Sequence, residues 1–441
     1  MNSDLINESV PLYMRVYNYY KKMIINGQLS SGMKIPSIRQ CAEELRISRT
    51  TVETAYMSLA ADGYIISKAQ SGFYVTETAY ARAGNANAGH HVVEKKEKIR
   101  YDFISAAADA ESFNFDMWRR YIKSALRQDE RLLSYGEPQG EKELREVLSK
   151  YITHKRNVVC TPENIVVGAG IQSLLHIICV LADKDKKICF QNKEFIQGIS
   201  VFRDHGWCLC DAQSASVIYS TPSHISMWGD VMDVRDRLSL IKNAAHNSKL
   251  IIEDDYDNEF SYFNKRTPSL QSLAAGQNVI YIGTFSRMLL PSIRMSFMVI
   301  PPQLTDRYMT VRNNYNQTAS KTEQIALCQF IRDGHLDLQI RKQRKLYNAK
   351  AKHLCEVISE KFGSQAEAAV TDSGIYVKMK LKEKICIEDF KDQLHKKEIS
   401  LNVLKNDDDT VTAVFSCTSV KSESFEEAVS EVKAAYISAV D

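Results

Sequence analysis

A chain of 441 residues is long enough for two or three domains, each with a filled core. Its 44% hydrophobic and 25% charged residues are ordinary for a soluble globular protein, and a formal charge of +3 is too mild to argue for nucleic acid by composition alone. Ten cysteines without ladder spacing fit reduced thiols in a cytoplasmic protein better than a disulfide scaffold.

Cys208 and Cys210 read as strand residues, and no metal is assigned. Met1 to Val10 holds acids and amides where a secretory leader needs a basic and then an apolar run. The longest apolar stretch, Ile171 to Ala182, is broken by Gln172 and His176 and is too short to span a bilayer, so no membrane association is expected.

Apolar residues at Leu12, Val16, Tyr19, Met23 and Ile24 recur at helical spacing, and Gly27 supplies a stop. Ser37, with Gln40 three residues on, predicts a capped helix through Leu45. After the tight turn Arg46-Ile47, Ser48 caps a third helix, Arg49 to Ala60. Two short helices so closely joined describe a helix-turn-helix. Tyr64 to Ser67 and Gly72 to Val75 then predict a hairpin, the wing, around Lys68 to Ser71. Ser48-Arg49-Thr50-Thr51 opens the third helix with groups suited to phosphates and base edges. The same four residues are also a plain capping sequence, and a helical protein-interaction module is the bland alternative. The module to Thr76 has eight Lys or Arg against six Asp or Glu, so geometry must focus its charge.

The order Ile35-Pro36-Ser37-Ile38-Arg39, Ile47-Ser48-Arg49-Thr50-Thr51-Val52, Asp62-Gly63-Tyr64-Ile65 and Ser71-Gly72-Phe73-Tyr74-Val75 resembles the GntR-type winged helix. The resemblance implies binding to double-stranded promoter DNA by Arg39, Arg49, Thr50 and Thr51 and by the wing near Gly72, with Lys34, Ser37 and Ser48 as weaker assignments; Lys68 in the wing is also assigned to DNA. Ala79 to Lys98, rich in Ala, Gly and Asn and then in His, Lys and Glu, reads as a tether with a reach on the order of 25 Å. The predicted organisation is a head over 1–76, a linker over 77–100 and a body over 101–441 with a small subdomain from about 335.

In the body, short apolar runs at Ile165 to Val167, Lys187 to Phe190, Val217 to Tyr219, Leu250 to Ile252, Val279 to Ile282 and Met295 to Ile300 alternate with helical patterns such as Ile171 to Leu181 and Met232 to Ala245. This predicts an α/β fold around a mostly parallel sheet, with ligand residues beyond the strand ends. Three polar motifs fall there. Gly168-Ala169-Gly170-Ile171 turns from strand to helix and suits a phosphate, though plain turn chemistry explains it equally. The run Glu253 to Glu259 holds five acids, which must face water, cations or a protonated ring nitrogen. Thr284, Ser286 and Arg294 add hydroxyls and a charge.

With Tyr135-Gly136-Glu137-Pro138-Gln139-Gly140, Thr221-Pro222-Ser223-His224 and Ser373-Gly374-Ile375-Tyr376, these segments resemble the fold-type I aminotransferase-like domain of the MocR/GabR branch of GntR regulators. The resemblance implies pyridoxal phosphate, with Asp254 on the ring nitrogen, Tyr256 on the ring hydroxyl, and the Gly170 turn with Ile171, Thr284, Ser286 and Arg294 on the phosphate. It also implies a domain-swapped homodimer. The chain departs from the pattern in one pocket. Arg287 stands where the family has its cofactor-binding lysine, and a permanently protonated guanidinium cannot form an imine. Phe195 lies in an altered loop, Trp228 in a turn that has lost its proline, and Thr412 where a carboxylate-clamping arginine belongs.

No catalytic residue and no covalent cofactor are therefore assigned. Arg287 either helps hold a small phosphate- or carboxylate-bearing effector or pairs with Asp254 and fills the site. The reading is a DNA-binding one-component regulator. An aminotransferase with an accessory head and a ligand-independent DNA-binding dimer are the alternatives.

Overall fold

The computed structural model describes residues 10–77, 99–105, 109, 111–182, 185–226, 230–260, 267–406 and 410–440. The chain divides into two compact units, Met1–Lys96 and Glu97–Asp441. The predicted tether lies almost wholly outside the described residues.

The head contains helices α1 (Leu12–Ile25), α2 (Ile38–Leu45) and α3 (Arg49–Ala61), then strands β1 (Ile65–Lys68) and β2 (Gly72–Val75). α1 turns Val16, Tyr17, Tyr20 and Ile24 inward, the spacing of one helix face. The Ser37 hydroxyl accepts the Gln40 amide at 3.2 Å, but the Gln40 side chain goes to Glu44, so only half of a capping box forms. α2 stops at Arg46, whose φ of 55° places it in the left-handed region. Ser48 caps α3 by accepting the Thr51 amide at 3.1 Å. α3 buries Val52, Ala55, Tyr56 and Leu59. Tyr20, Tyr56 and Phe73 stack edge to face at 5.4 and 5.2 Å, and the Tyr56 hydroxyl finds the Pro36 carbonyl at 3.0 Å. This ladder ties two helices to the wing; each buried ring contributes about 1.5–3 kcal/mol.

The body is built on a seven-stranded sheet of β4 (Ile165–Gly168), β5 (Lys187–Phe190), β6 (Cys208–Leu209), β7 (Val217–Ser220), β8 (Leu250–Asp254), β9 (Val279–Thr284) and β10 (Ser296–Val299), in the order β4-β10-β9-β8-β7-β5-β6. Only β10 runs against its neighbours, so the sheet is mostly parallel. Because both faces are buried, alternate residues feed different cores. Ile280 and Ile282 pack with Leu174 and Ile178 of the helix Ile171–Leu181. Tyr281 and Phe297 pack toward Ile152 and the 28-residue helix His335–Phe362. The helix expected over Met232 to Ala245 spans Val234–His246, because the Asp233 carboxylate caps it. Cys208 lies in the edge strand β6 and Cys210 just beyond it.

After the helix His335–Phe362, β11 (Ala366–Val370), β12 (Tyr376–Leu381), β14 (Asn402–Lys405) and β15 (Val411–Ser416) form an antiparallel sheet in the order β11-β12-β15-β14. A separate ladder pairs β13 (Ile399–Ser400) with β3 (Tyr101–Asp102), so the start of the body returns to its C-terminal part. Among the described residues, no helix is long and apolar enough to cross a membrane and no group of three or more His, Cys, Asp or Glu is placed to hold a metal.

Candidate functional site

In the head, the first turn of α3 presents Ser48, Arg49 and Thr50 to solvent, with Thr51 half-buried. Their hydroxyls are brought together: Ser48 Oγ lies 3.0 Å from Thr50 Oγ1 and 2.7 Å from Thr51 Oγ1. Arg39 points out from α2 and meets Glu43 at 3.0 Å, with 75% and 66% of the two side chains exposed. So exposed a pair is worth a few tenths of a kcal/mol and competes weakly with a phosphate. In the wing, Lys68 and Gly72 are register partners, and Gly72 has a φ of +107° that side chains rarely adopt.

In the body, β4, β8 and β9 end at one edge of the sheet, and each carries one of the three motifs. The five acids of the 253–259 run do not share one environment. The Glu253 carboxylate is buried and accepts the amides of Leu270 (2.7 Å) and Gln271 (2.8 Å); burial pushes its pKa up to about 7. Asp255 accepts from Arg156 (2.8 Å) and from the hydroxyls of Ser223 (2.6 Å) and Tyr281 (2.9 Å). Burial pushes Glu259 up to about 8. Of the expected partners, water, cations or a ring nitrogen, Asp255 meets a cation in Arg156, whereas Glu253 is held by two backbone amides instead.

Asp254 is buried and accepts the Tyr219 hydroxyl at 2.6 Å. Burial raises its pKa to about 7 against the lowering effect of that bond. The Tyr256 ring lies 4.6 Å from His224 at 11°, stacked, and burial holds His224 neutral with a pKa of about 3. The Phe195 ring leans on Tyr219 at 5.7 Å and crowds Gly198, where a Cβ would sit 2.1 Å from it. Phe195 is therefore occupied by Tyr219 and Gly198.

Arg287 does not pair with Asp254. Its guanidinium bonds the buried carboxylate of Asp257 and lies 3.4 and 3.5 Å from the Tyr376 hydroxyl. The reason is local: Asp257 has a φ of 58°, a left-handed turn three residues past Asp254 that re-aims its side chain. Arg287 is 13% and Asp257 3% exposed, so the pair is nearly dry.

The third motif stays open to a ligand in part. Gly170 has a φ of +78°, and a Cβ there would fall 2.7 Å from Arg294 Nη2, so the exposed Arg294 guanidinium lies against the start of the helix Ile171–Leu181. Thr284 Oγ1 lies 3.3 Å from Ser286 Oγ and 3.0 Å from Ser296 Oγ. The Ala169 amide is taken by Thr318 at 2.9 Å, which leaves this edge one donor fewer than the motif promised. Thr412 is buried on β15 and bonded to Asn406, so the residue at the clamp position itself brings no charge. Trp228 lies outside the described residues. A cavity of about 300 Å³ reaches Thr284, Asp257 and His224 from the side of Arg156 but does not include Gly170 or Arg294.

Three partners escaped the motif reading. Tyr219 sits inside a strand whose residues are all buried, and nothing marks it. Asp257 and Tyr376 stand within quoted motifs, but only the turn geometry makes them partners of Arg287.

The family model described as bacterial regulatory proteins, gntR family, matches residues 12–75. Over the longer span, the HTH-type transcriptional regulator YdeL of Bacillus subtilis (strain 168) is 35% identical over 387 residues, 83% of each chain. A protein of Rhizobium meliloti named "Probable rhizopine catabolism regulatory protein MocR" is 31% identical over 376 residues, 78% of this chain and 76% of its own.

The chain belongs to the MocR-type branch of the GntR family. It is a DNA-binding transcription regulator with a winged head and an aminotransferase-like body. The body shares its fold with the alpha-aminoadipate aminotransferase LysN from Thermus thermophilus (TM-score 0.65, 19% identity, 78% of this chain and 93% of that one). It also matches an archaeal alanine:glyoxylate aminotransferase (TM-score 0.68, 17% identity, 81% and 95%).

That fold implies an association with pyridoxal phosphate in the MocR-type family. The residues present do not fit a covalently held cofactor. The amine that would capture its aldehyde is replaced by Arg287, whose guanidinium is bonded to Asp257; Asp254, assigned to the ring nitrogen, accepts one bond from Tyr219 at Oδ2, which leaves a carboxylate further acceptor capacity. The Gly170, Thr284, Ser286 and Arg294 edge retains groups suited to an anion.

Proposed function

We propose that this MocR-type regulator uses its body as a non-catalytic, dimerising sensor. The body takes a small phosphate- or carboxylate-bearing effector without a covalent bond to pyridoxal phosphate. The observation that carries the reading is the Arg287–Asp257–Tyr376 cluster: the lysine position holds a guanidinium locked to a buried carboxylate. A guanidinium so paired neither attacks a carbonyl nor exchanges protons near neutral pH. The exposed Arg294 beside Gly170 supplies the charge for the anion, with Ile171 at the helix start and the Thr284 and Ser286 hydroxyls near it.

In this reading residues 1–76 are the DNA-binding head, 77–100 a linker and 101–441 the effector body, with a small subdomain from about 335. The chain works in the cytoplasm as a domain-swapped homodimer on promoter DNA. The aminotransferase-like fold supports a dimer, and so do Leu133, 89% exposed, and the wholly exposed Tyr135 on one short segment. Arg39, Ser48, Arg49, Thr50, Thr51, Lys68 and Gly72 make the DNA contacts. The effector shifts the regulator only if it binds two arrangements of the dimer unequally.

Inorganic phosphate and pyridoxal phosphate, each added alone, are expected to raise the thermal midpoint of the body. A ligand at one hundred times its dissociation constant adds about 2.7 kcal/mol. Arg294→Ala is expected to abolish the rise. A midpoint that no phosphate or carboxylate moves would mark the body as a ligand-independent dimerisation unit.

A further inference from the structure

The wing and the segment beside it carry two lysines and a tyrosine whose arrangement the motifs of the head leave unexplained. The segment 33–35 runs antiparallel along β2, with Ile35 N–H to Phe73 O and Val75 N–H to Met33 O both at 3.0 Å and a bridge between Lys34 and Tyr74. On the other side of β2, Ile66 is the register partner of Tyr74 and Lys68 that of Gly72. Alternation puts Lys34, Tyr74, Ile66, Lys68 and Gly72 on one face of this small sheet and sends Ile65 and Val75 to the core. The outer face is open: Lys34 and Lys68 are exposed and Ile66 is 46% exposed.

The Tyr74 ring holds both ammonium groups. Lys68 Nζ lies 4.6 Å and Lys34 Nζ 5.9 Å from its centroid, and the hydroxyl shares a 2.6 Å hydrogen bond with Ser71. A Cβ on Gly72 would come within 3.2 Å of Lys34 Cε, so the glycine leaves room for that side chain. Among the described residues neither lysine pairs with a carboxylate. Two like charges left to themselves spread apart into water. Here the negative face of one ring draws both together, which saves rotamer freedom when an anion arrives.

Duplex DNA is the partner that such a face fits, because each phosphate met by an ammonium releases a condensed counterion. We propose that Tyr74 is a positioning residue: its ring holds Lys34 and Lys68 as a paired cation that grips backbone phosphates beside the site read by α3. The inference rests on the DNA-binding function of the head and adds the sequence-independent part of that binding.

The test is anisotropy of a fluorescent mixed-sequence duplex titrated with the full chain over a salt series. The double variant Lys34→Ala, Lys68→Ala is expected to make the slope of log K against log salt shallower by about 1.8 for each head bound, or 0.9 for each phosphate that is no longer neutralised. Tyr74→Leu is expected to lose most of the same binding, to add nothing further on the double-alanine background, and to be rescued by Tyr74→Phe, which keeps the ring. An unchanged slope in the double variant overturns the proposal. So does a Tyr74→Leu loss that adds in full to the lysine losses, or a Tyr74→Phe variant as weak as Tyr74→Leu. If Tyr74→Leu does not fold, the slope of the exposed double-lysine variant decides alone. Wild-type protein without salt-sensitive binding fails earlier, against DNA binding itself.

Discussion

Replacing Arg287 by alanine is expected to destabilise the body by about 3–5 kcal/mol at pH 8, the range for stripping one partner from a buried ion pair. Asp257 is 3% exposed, and Arg287 is its charged partner. Burial already raises the pKa of Asp257 while Arg287 pulls it down. Without the guanidinium the pKa rises further above the unfolded value of about 3.9, so the folded state holds a proton that the unfolded state has released. The native form then loses stability as pH rises from about 4 to the new folded pKa. The midpoint difference between Arg287→Ala and wild type is therefore widest at pH 8 and narrows toward pH 5. Equal midpoints at pH 8 by scanning calorimetry would show that the pair is not what holds the site closed.

The second large effect lies in the head. Arg49→Ala is expected to weaken specific DNA binding by roughly 10- to 100-fold, equivalent to about 1–3 kcal/mol for one good side-chain readout contact. Arg49 is the exposed first residue of α3, so the stability of the head should stay within about 0.5 kcal/mol. Ser48→Ala behaves differently. Its hydroxyl caps α3, and its loss removes about 1 kcal/mol of stability together with binding. A mobility-shift series over upstream duplexes, paired with thermal melts, separates the two. An Arg49→Ala variant that binds as well as wild type would move recognition away from the start of α3.

The head was readable because its signals are local. Ser37 and Ser48 cap the helices the spacing predicted, and Gly72 opens the second wing strand. Lys34 was not readable as a wing residue, because its partnership with Tyr74 comes from a strand-like segment more than thirty residues away. In the body the alternating runs announced the parallel sheet, and the strand-end rule located the pocket. The rule does not say which way a side chain turns after the strand ends. Asp254 and Asp257 are three residues apart, and a left-handed φ at Asp257 decides which of them meets Arg287. Tyr219 hides in a strand whose residues are all buried, where composition cannot separate a packing ring from a hydrogen-bond donor. The partner of Glu253 was equally invisible: the two amides that hold it belong to a short helix beginning seventeen residues later.

The central claim is that this pocket retains the fold of a pyridoxal-phosphate site without its covalent chemistry. Incubation of the full chain with pyridoxal phosphate, reduction with borohydride and mass mapping of the peptides of the body tests it directly. No stoichiometric phosphopyridoxyl group on any lysine of the body is the result predicted by the Arg287–Asp257 pair, because the residue after the Thr284-Phe285-Ser286 turn is a guanidinium held by Asp257. A stoichiometric, borohydride-fixed group on a lysine that reaches this pocket would contradict it.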